Sequence, residues 1–254
     1  GGSLLDRGYL EFILDLKDKG FEIGLHSVGS GVFKREEILR GINLFHEKLG
    51  FYPYIHINHG NNPDNIYWGY ERYQWFLWNI FKLLYGKQRK YYGADLDSSY
   101  FWGDICKEKV KYIRNYTFND INTLKIDPLM PYIDRSKERF SNYWFSSSDG
   151  HTVKEFNFLI RKENIDRLEN EGGACIVYTH FAYNFVNDQG QLDREFVENM
   201  DYLSTKNGWF VPASTLLDYL LSQKKEVYAS KSYLIRLDLR WALDRVVKRI
   251  RFQR

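Results

Sequence analysis

Cysteine is scarce in this chain of 254 residues: Cys106 and Cys175 are the whole supply. Two are too few for the disulfide framework of a small secreted scaffold, so a hydrophobic core has to hold the fold. Long apolar runs are missing as well. No stretch reaches the roughly 18 apolar residues that a membrane-spanning helix needs. There is no nucleophile elbow, no phosphate loop and no Rossmann glycine fingerprint. Internal repeats and low-complexity runs are absent too. No leader peptide stands at the start, but the chain opens on Gly1-Gly2-Ser3 without a Met. The native N-terminus is therefore expected upstream, and the missing leader carries no weight. A cytoplasmic protein, or one peripheral to a membrane, is expected.

What is plentiful is aromatic. Aromatics make up 18% of the chain, with 20 Tyr and 7 Trp, against an ordinary 44% hydrophobic and 27% charged content. Such a surplus either lines a cleft for the flat apolar faces of sugars or fills an aromatic core. The length suffices for one large α/β domain with a substantial core. Charge is placed unevenly. Residues 231–254 carry eight Lys or Arg against two Asp, a net of +6, while the whole chain is +3. The remainder is therefore mildly acidic and the tail strongly basic.

Hydrophobic spacing predicts helices at 4–19, 34–49, 160–171, 192–203 and 214–221, the last N-capped by Ser214. Strands are expected at 21–25, 51–57, 109–116 and 208–212, and above all in the apolar run Ala174-Cys175-Ile176-Val177-Tyr178. Residues 125–133 read as a Pro-containing loop, 145–150 as a polar turn, and the aromatic stretch 67–92 as a helix that caps a cleft. Helix and strand alternating with short connections argues for an α/β architecture. From Tyr233 onward, Leu239, Leu243, Val246 and Ile250 recur at helical spacing among Lys and Arg. That is a basic amphipathic helix, suited either to an anionic membrane surface or to packing on its own domain with a solvated basic face. No nucleic-acid motif accompanies these charges, so a nucleic-acid partner is not expected. The expected division is a domain over 1–225 and a basic tail over 226–254.

In α/β proteins chemistry gathers where strands end at their carboxyl side. Two stretches deliver a His to such a place: Gly20-Phe21-Glu22-Ile23-Gly24-Leu25-His26 and Gly172-Gly173-Ala174-Cys175-Ile176-Val177-Tyr178-Thr179-His180. Neutral imidazoles are good zinc ligands, and a catalytic zinc takes three protein ligands and leaves one position for water. His26 is a candidate ligand. His56 and His59, spaced H-x-x-H, can present two nitrogens from one loop. His180 is a candidate ligand or general acid. His46, beside the apolar face of its helix, reads as structural.

These stretches resemble the polysaccharide deacetylase family, the NodB-homology or carbohydrate esterase family 4 group, over about residues 5–220. Glu22-Ile23-Gly24-Leu25-His26-Ser27 is similar to the segment whose first His binds metal. Residues 50–60 stand where the family has its Arg-x-Pro-Tyr-Gly groove segment, and Ile176-Val177-Tyr178-Thr179-His180 resembles the motif that ends in the catalytic His. The resemblance implies a distorted (β/α) barrel and zinc-assisted removal of N-acetyl groups from a glycan. It implies metal at His26, catalysis at His180, and substrate contacts from His56, His59, Tyr178, Trp68 and Trp144. The departures are specific. Ser30 stands where the second metal His belongs, His56 and His59 replace the groove Arg and Tyr, and the motif with the paired Asp residues belongs before residue 4. Three alternatives follow: the chain is truncated, His56, His59 or Asp149 substitutes in a rebuilt site, or the chain is a carbohydrate-binding or glycan-assembly relative that retains the fold without the reaction.

Overall fold

Helix α1, Arg7–Asp18, starts where the Asp6 carboxylate accepts the Tyr9 N–H at 2.9 Å. Leu4 and Leu5 lie ahead of that cap, so the helix is shorter than its apolar spacing suggests. Helix α2, Arg35–Leu49, begins with the Glu37 carboxylate accepting the Lys34 N–H at 2.9 Å and stops at Gly50, whose φ of 83° is left-handed. It buries Ile38, Ile42, Phe45 and Leu49, the face its spacing predicts. A computed structural model describes residues 3–29, 31–60, 62–74, 77, 79 and 91–252.

Four strands follow one another: β1 (Ile55–Ile57), β2 (Tyr112–Phe118), β3 (Tyr143–Asp149) and β4 (Val177–Tyr178). They form one sheet in chain order. β1 and β2 pair parallel with Ile55 opposite Tyr112, and β3 and β4 pair parallel with Ser148 opposite Val177. Between and after them lie α3 (Gly103–Lys109), α4 (Thr123–Ile126), α5 (Val153–Leu159), α6 (Lys162–Asn170), α7 (Arg194–Ser204), α8 (Ala213–Ser222) and α9 (Lys231–Phe252), with a 3-10 turn at Gly69–Arg72. The α/β class is as expected. The two middle strands are buried along nearly their whole length, as parallel strands covered on both faces are.

The differences from expectation have physical causes. Residues 145–150 form most of a strand, not a turn. Ser146 and Ser148 look turn-like, yet the Ser146 hydroxyl donates to Asp127 at 2.6 Å and Ser148 shares a hydrogen bond with Thr123 at 2.7 Å. Buried hydroxyls satisfied in this way are compatible with a central strand. Residues 21–25 reduce to a single bridge: the Leu25 N–H donates to the Ile55 carbonyl at 2.9 Å and the Leu25 carbonyl accepts from Ile57 at 3.0 Å. Residues 207–212 have no regular structure, and Trp209 and Phe210 are exposed. The loop expected at 125–133 is entered through α4. Of the stretch 67–92, the 3-10 turn is described, while residues 75, 76, 78 and 80–90 lie outside the described residues. Cys175 is half-buried against the apolar cluster of Ile121, Phe156, Ile165 and Phe185, and burial pushes its thiol up to about 11.

The residues pack as two compact units. One holds Gly1–Asn115, Pro131–Phe145 and Val211–Ile235. The other holds Tyr116–Met130, Ser146–Phe210 and Arg236–Arg254. Within the second unit, α9 is held by polar groups. Asn119 donates its backbone N–H to the Asp244 carboxylate at 2.7 Å, and the Tyr116 hydroxyl donates to Asp238. Arg245 Nη2 reaches the Asp149 carboxylate at 2.6 Å, and Lys248 Nζ lies 3.0 Å from both Asp149 and Glu155.

Burial pushes the Asp149 carboxyl up, but the charges of Arg245 and Lys248 outweigh it and its pKa lies below the ordinary carboxylate value. Such a carboxyl stabilises the fold above the ordinary carboxylate range, and that contribution is lost as pH falls through the folded pKa. Asp149→Asn leaves two cations without their shared partner. It is expected to cost about 3 kcal/mol in urea unfolding at neutral pH. The variant is also expected to lose less stability than wild type below about pH 4. Equal acid slopes in the two proteins would show that this carboxylate does not hold the helix.

Candidate functional site

In the first unit, β1 runs out into a loop closed by two asparagines. Asn58 accepts the Ile66 N–H on Oδ1 and donates Nδ2 to the Ile66 carbonyl, both at 2.9 Å. Asn65 accepts the His59 N–H at 3.0 Å and donates back to the His59 carbonyl. The residue types that read as turn formers are thus the loop's own clasp. Beside it, the chain turns at Ser27, whose φ of 63° is left-handed.

This framework sets three imidazoles. His26 Nδ1 donates to the Ile57 carbonyl at 3.0 Å, and His59 Nδ1 donates to the Gly60 carbonyl at 2.9 Å. A carbonyl only accepts, so in the neutral ring Nδ1 carries the proton and Nε2 carries the lone pair. Both rings are exposed, with centroids 4.9 Å apart. This is the outer-shell pattern of metal-ligating histidines, which donate their other ring N–H to a carbonyl or carboxylate. Two donors are one fewer than a catalytic zinc takes. Among the described residues no group of three or more His, Cys, Asp and Glu is placed to hold a metal ion, and Ser30 lies outside the described residues. The pair is therefore a partial donor set.

His56 differs. It is 2% exposed, and its Nε2 lies 3.2 Å from Asn58 Oδ1. Because Ile66 already fixes that oxygen as an acceptor, Nε2 must donate and Nδ1 is bare. Nδ1 is buried without a hydrogen-bond partner. Burial lowers the His56 pKa from its ordinary 6.5 to about 4, with the charges of His26 and Arg114 adding to the effect. Asp64, lining the same small cavity, has its carboxyl pushed up by burial.

In the second unit, β3 ends at Asp149 and β4 at Tyr178. The Tyr178 hydroxyl lies 2.9 Å from His151 Nδ1 and 2.7 Å from His180 Nε2. One hydroxyl proton serves two nitrogens, so Tyr178 donates to one ring and accepts from the other. The His180 N–H donates to the His151 carbonyl at 3.2 Å and fixes the two segments together. Gly150 permits the turn to His151: a Cβ there would stand 3.2 Å from the Phe156 backbone. The Tyr183 ring lies tilted 4.9 Å from His151 and edge-on 5.5 Å from His180. Tyr183 and Phe181 are exposed beside the cluster.

The expected site residues are thus distributed as follows. The structure brings His26 and His59 together, and separately joins Tyr178 and His180. His56 is the buried middle residue of β1. Trp68 is half-buried beneath the Arg72 guanidinium, which lies 4.4 Å from its ring. Trp144 does not flank a groove: it is 2% exposed and its indole N–H donates to Ser141 at 3.0 Å. Asp149 is engaged with Arg245 and Lys248 instead of standing in for a metal ligand. Sequence reasoning missed His151 and Tyr183. The signal for His151 was its place one Gly beyond a strand end, hidden because that strand reads as a turn. Comparisons with protein-family models, curated proteins and solved structures find no match to this chain.

The tautomer assignment is testable. Imidazole ¹⁵N signals of His56 are expected to show a protonated Nε2 and a bare Nδ1 at neutral pH, with no titration until pH approaches about 4. A base whose folded pKa is depressed takes up its proton more readily when unfolded, so His56 costs the fold stability progressively as pH falls from about 6.5 to about 4, and the full cost remains below that. Titration near 6.5 would contradict the burial argument.

Proposed function

We propose that this chain is a hydrolase similar to polysaccharide deacetylases, removing N-acetyl groups from a glycan. The observation that carries the reading is the hydrogen-bonded chain His151–Tyr178–His180 at the carboxyl ends of two neighbouring parallel strands. Carboxyl ends of parallel strands are where α/β enzymes keep their chemistry. The chain-order sheet with helices between its strands supports the finer reading of a distorted (β/α) barrel of the NodB-homology type.

In this reading His151 takes a proton from the water that adds to the amide carbonyl carbon, the C–N bond breaks, and the departing nitrogen takes a proton from His180. Tyr178 passes a proton between His180 and His151, so the acid is restored without a large move of either ring. Tyr183 and Phe181 offer exposed rings to the apolar face of a sugar. In the first unit, His26 and His59 are the imidazoles proposed to hold a zinc-class ion, which when bound would polarise a carbonyl or activate water. Their role has a readout separate from turnover: zinc content by elemental analysis is expected to fall in His26→Ala and in His59→Ala.

Exposed aromatic rings beside the cluster favour a second reading, a carbohydrate-binding protein that retains the fold without the reaction. Deacetylation of N-acetylglucosamine oligomers separates the two. Under the first reading, His180→Ala lowers kcat roughly 10²- to 10⁴-fold, and Tyr178→Phe gives a smaller loss with a changed pH profile. Full activity in His180→Ala would end the catalytic reading. Binding without turnover in wild type, abolished by Tyr183→Ala, would establish the second.

A further inference from the structure

The C-terminal helix buries both apolar and polar groups. Its inward face carries Leu234 and Leu237, 5% and 1% exposed, beside Asp238, Asp244, Arg245 and Lys248, which are engaged with groups on β2, β3 and α5 or the loop after β2. Its outward face carries the apolar stripe. Leu239 is 51% exposed, Leu243 59%, Val246 57% and Ile250 75%. Their spacing of four, three and four residues keeps them on one side of the helix. Monomeric proteins rarely leave such a contiguous apolar face in water without a use for it. On a helical projection at 100° per residue the stripe is flanked by Arg236 and Arg240 on one side and Arg249 on the other.

We propose that this face of α9 lies on an anionic lipid surface. Three features favour that occupant. The rim is cationic on both sides of the stripe: Arg249 is exposed on one side, while on the other Arg236 donates to the Ile126 carbonyl at 3.3 Å and Arg240 pairs with Asp244 at 3.0 Å, which anchors that charge at the edge of the stripe, where anionic headgroups would lie. The helix is too polar to cross a bilayer, and none in the described residues is long and apolar enough to do so, so the stripe suits an orientation in the interface plane. A second copy of the same helix is disfavoured, because pairing two stripes would bring their Arg rims face to face. The inference is independent of the proposed reaction, since it uses none of its residues.

Flotation of the full chain with vesicles tests it. Binding is expected to mixed phosphatidylserine–phosphatidylcholine vesicles, to weaken with salt, and to be slight on phosphatidylcholine alone. Leu243→Asp and Val246→Asp, at exposed positions, are each expected to weaken partitioning roughly tenfold or more with unchanged circular dichroism and Tm. Arg249→Glu should weaken binding to the anionic vesicles. Three results would overturn the proposal. Wild type could fail to float with anionic vesicles. The two Asp variants could float as well as wild type. Light scattering could show a dimer that both Asp variants dissolve, which would make a second copy the occupant.

Discussion

A carboxylate buried in the second unit has no stable existence without cations close by, and Asp149 answers that constraint with Arg245 and Lys248. The consequences spread in two directions. Along the helix, turning Arg245 and Lys248 inward fixes the rotation of α9. A period of 3.6 residues then leaves Leu239, Leu243, Val246 and Ile250 on the opposite side. Along β3, Asp149 is committed to the helix, and the imidazole that meets Tyr178 lies beyond Gly150, at His151. The tail is therefore basic for two reasons: part of its charge balances buried acids within the unit, and the rest stays on the outer surface.

The histidines show how one residue type acquires different chemistry from its surroundings. Backbone carbonyls accept from Nδ1 of His26 and of His59, so in each neutral ring the lone pair is on Nε2. Asn58, itself oriented by Ile66, holds His56 in the opposite tautomer and buries its lone pair. Tyr178 holds His151 and His180 in a shared chain in which one proton can serve either ring. None of these assignments depends on charge at long range. Each follows from whether the neighbouring atom can donate, accept or do both.

Much of the architecture was legible along the chain. The apolar face of α2, the helix at 194–204 and the long basic helix at the C-terminus follow from periodicity, and the ends of β1 and β4 follow from apolar runs closed by polar residues. The likeness of the His26 and His180 stretches pointed to strand ends, and both residues stand at such positions, although the first strand has contracted to Leu25. Legibility failed where a polar segment is satisfied by distant partners. Ser146 and Ser148 bond to Asp127 and Thr123, so a strand looked like a turn. It failed again for Trp144, because a tryptophan suited to stacking on sugar looks the same in sequence as one filling a core.

The sequence by itself determined what local pattern can determine: the α/β class, most helices, the scarcity of cysteine and the placement of basic residues in the tail. These depend on spacing along one segment, which the chain states directly. Tertiary structure alone decided which imidazoles meet, which nitrogen of each carries the proton, and which face of the last helix looks outward. Those outcomes hinge on partners many residues away, such as Ile57 for His26, His151 for His180 and Asp149 for Arg245. A hydrogen bond or ion pair across that distance leaves no periodic trace in the sequence.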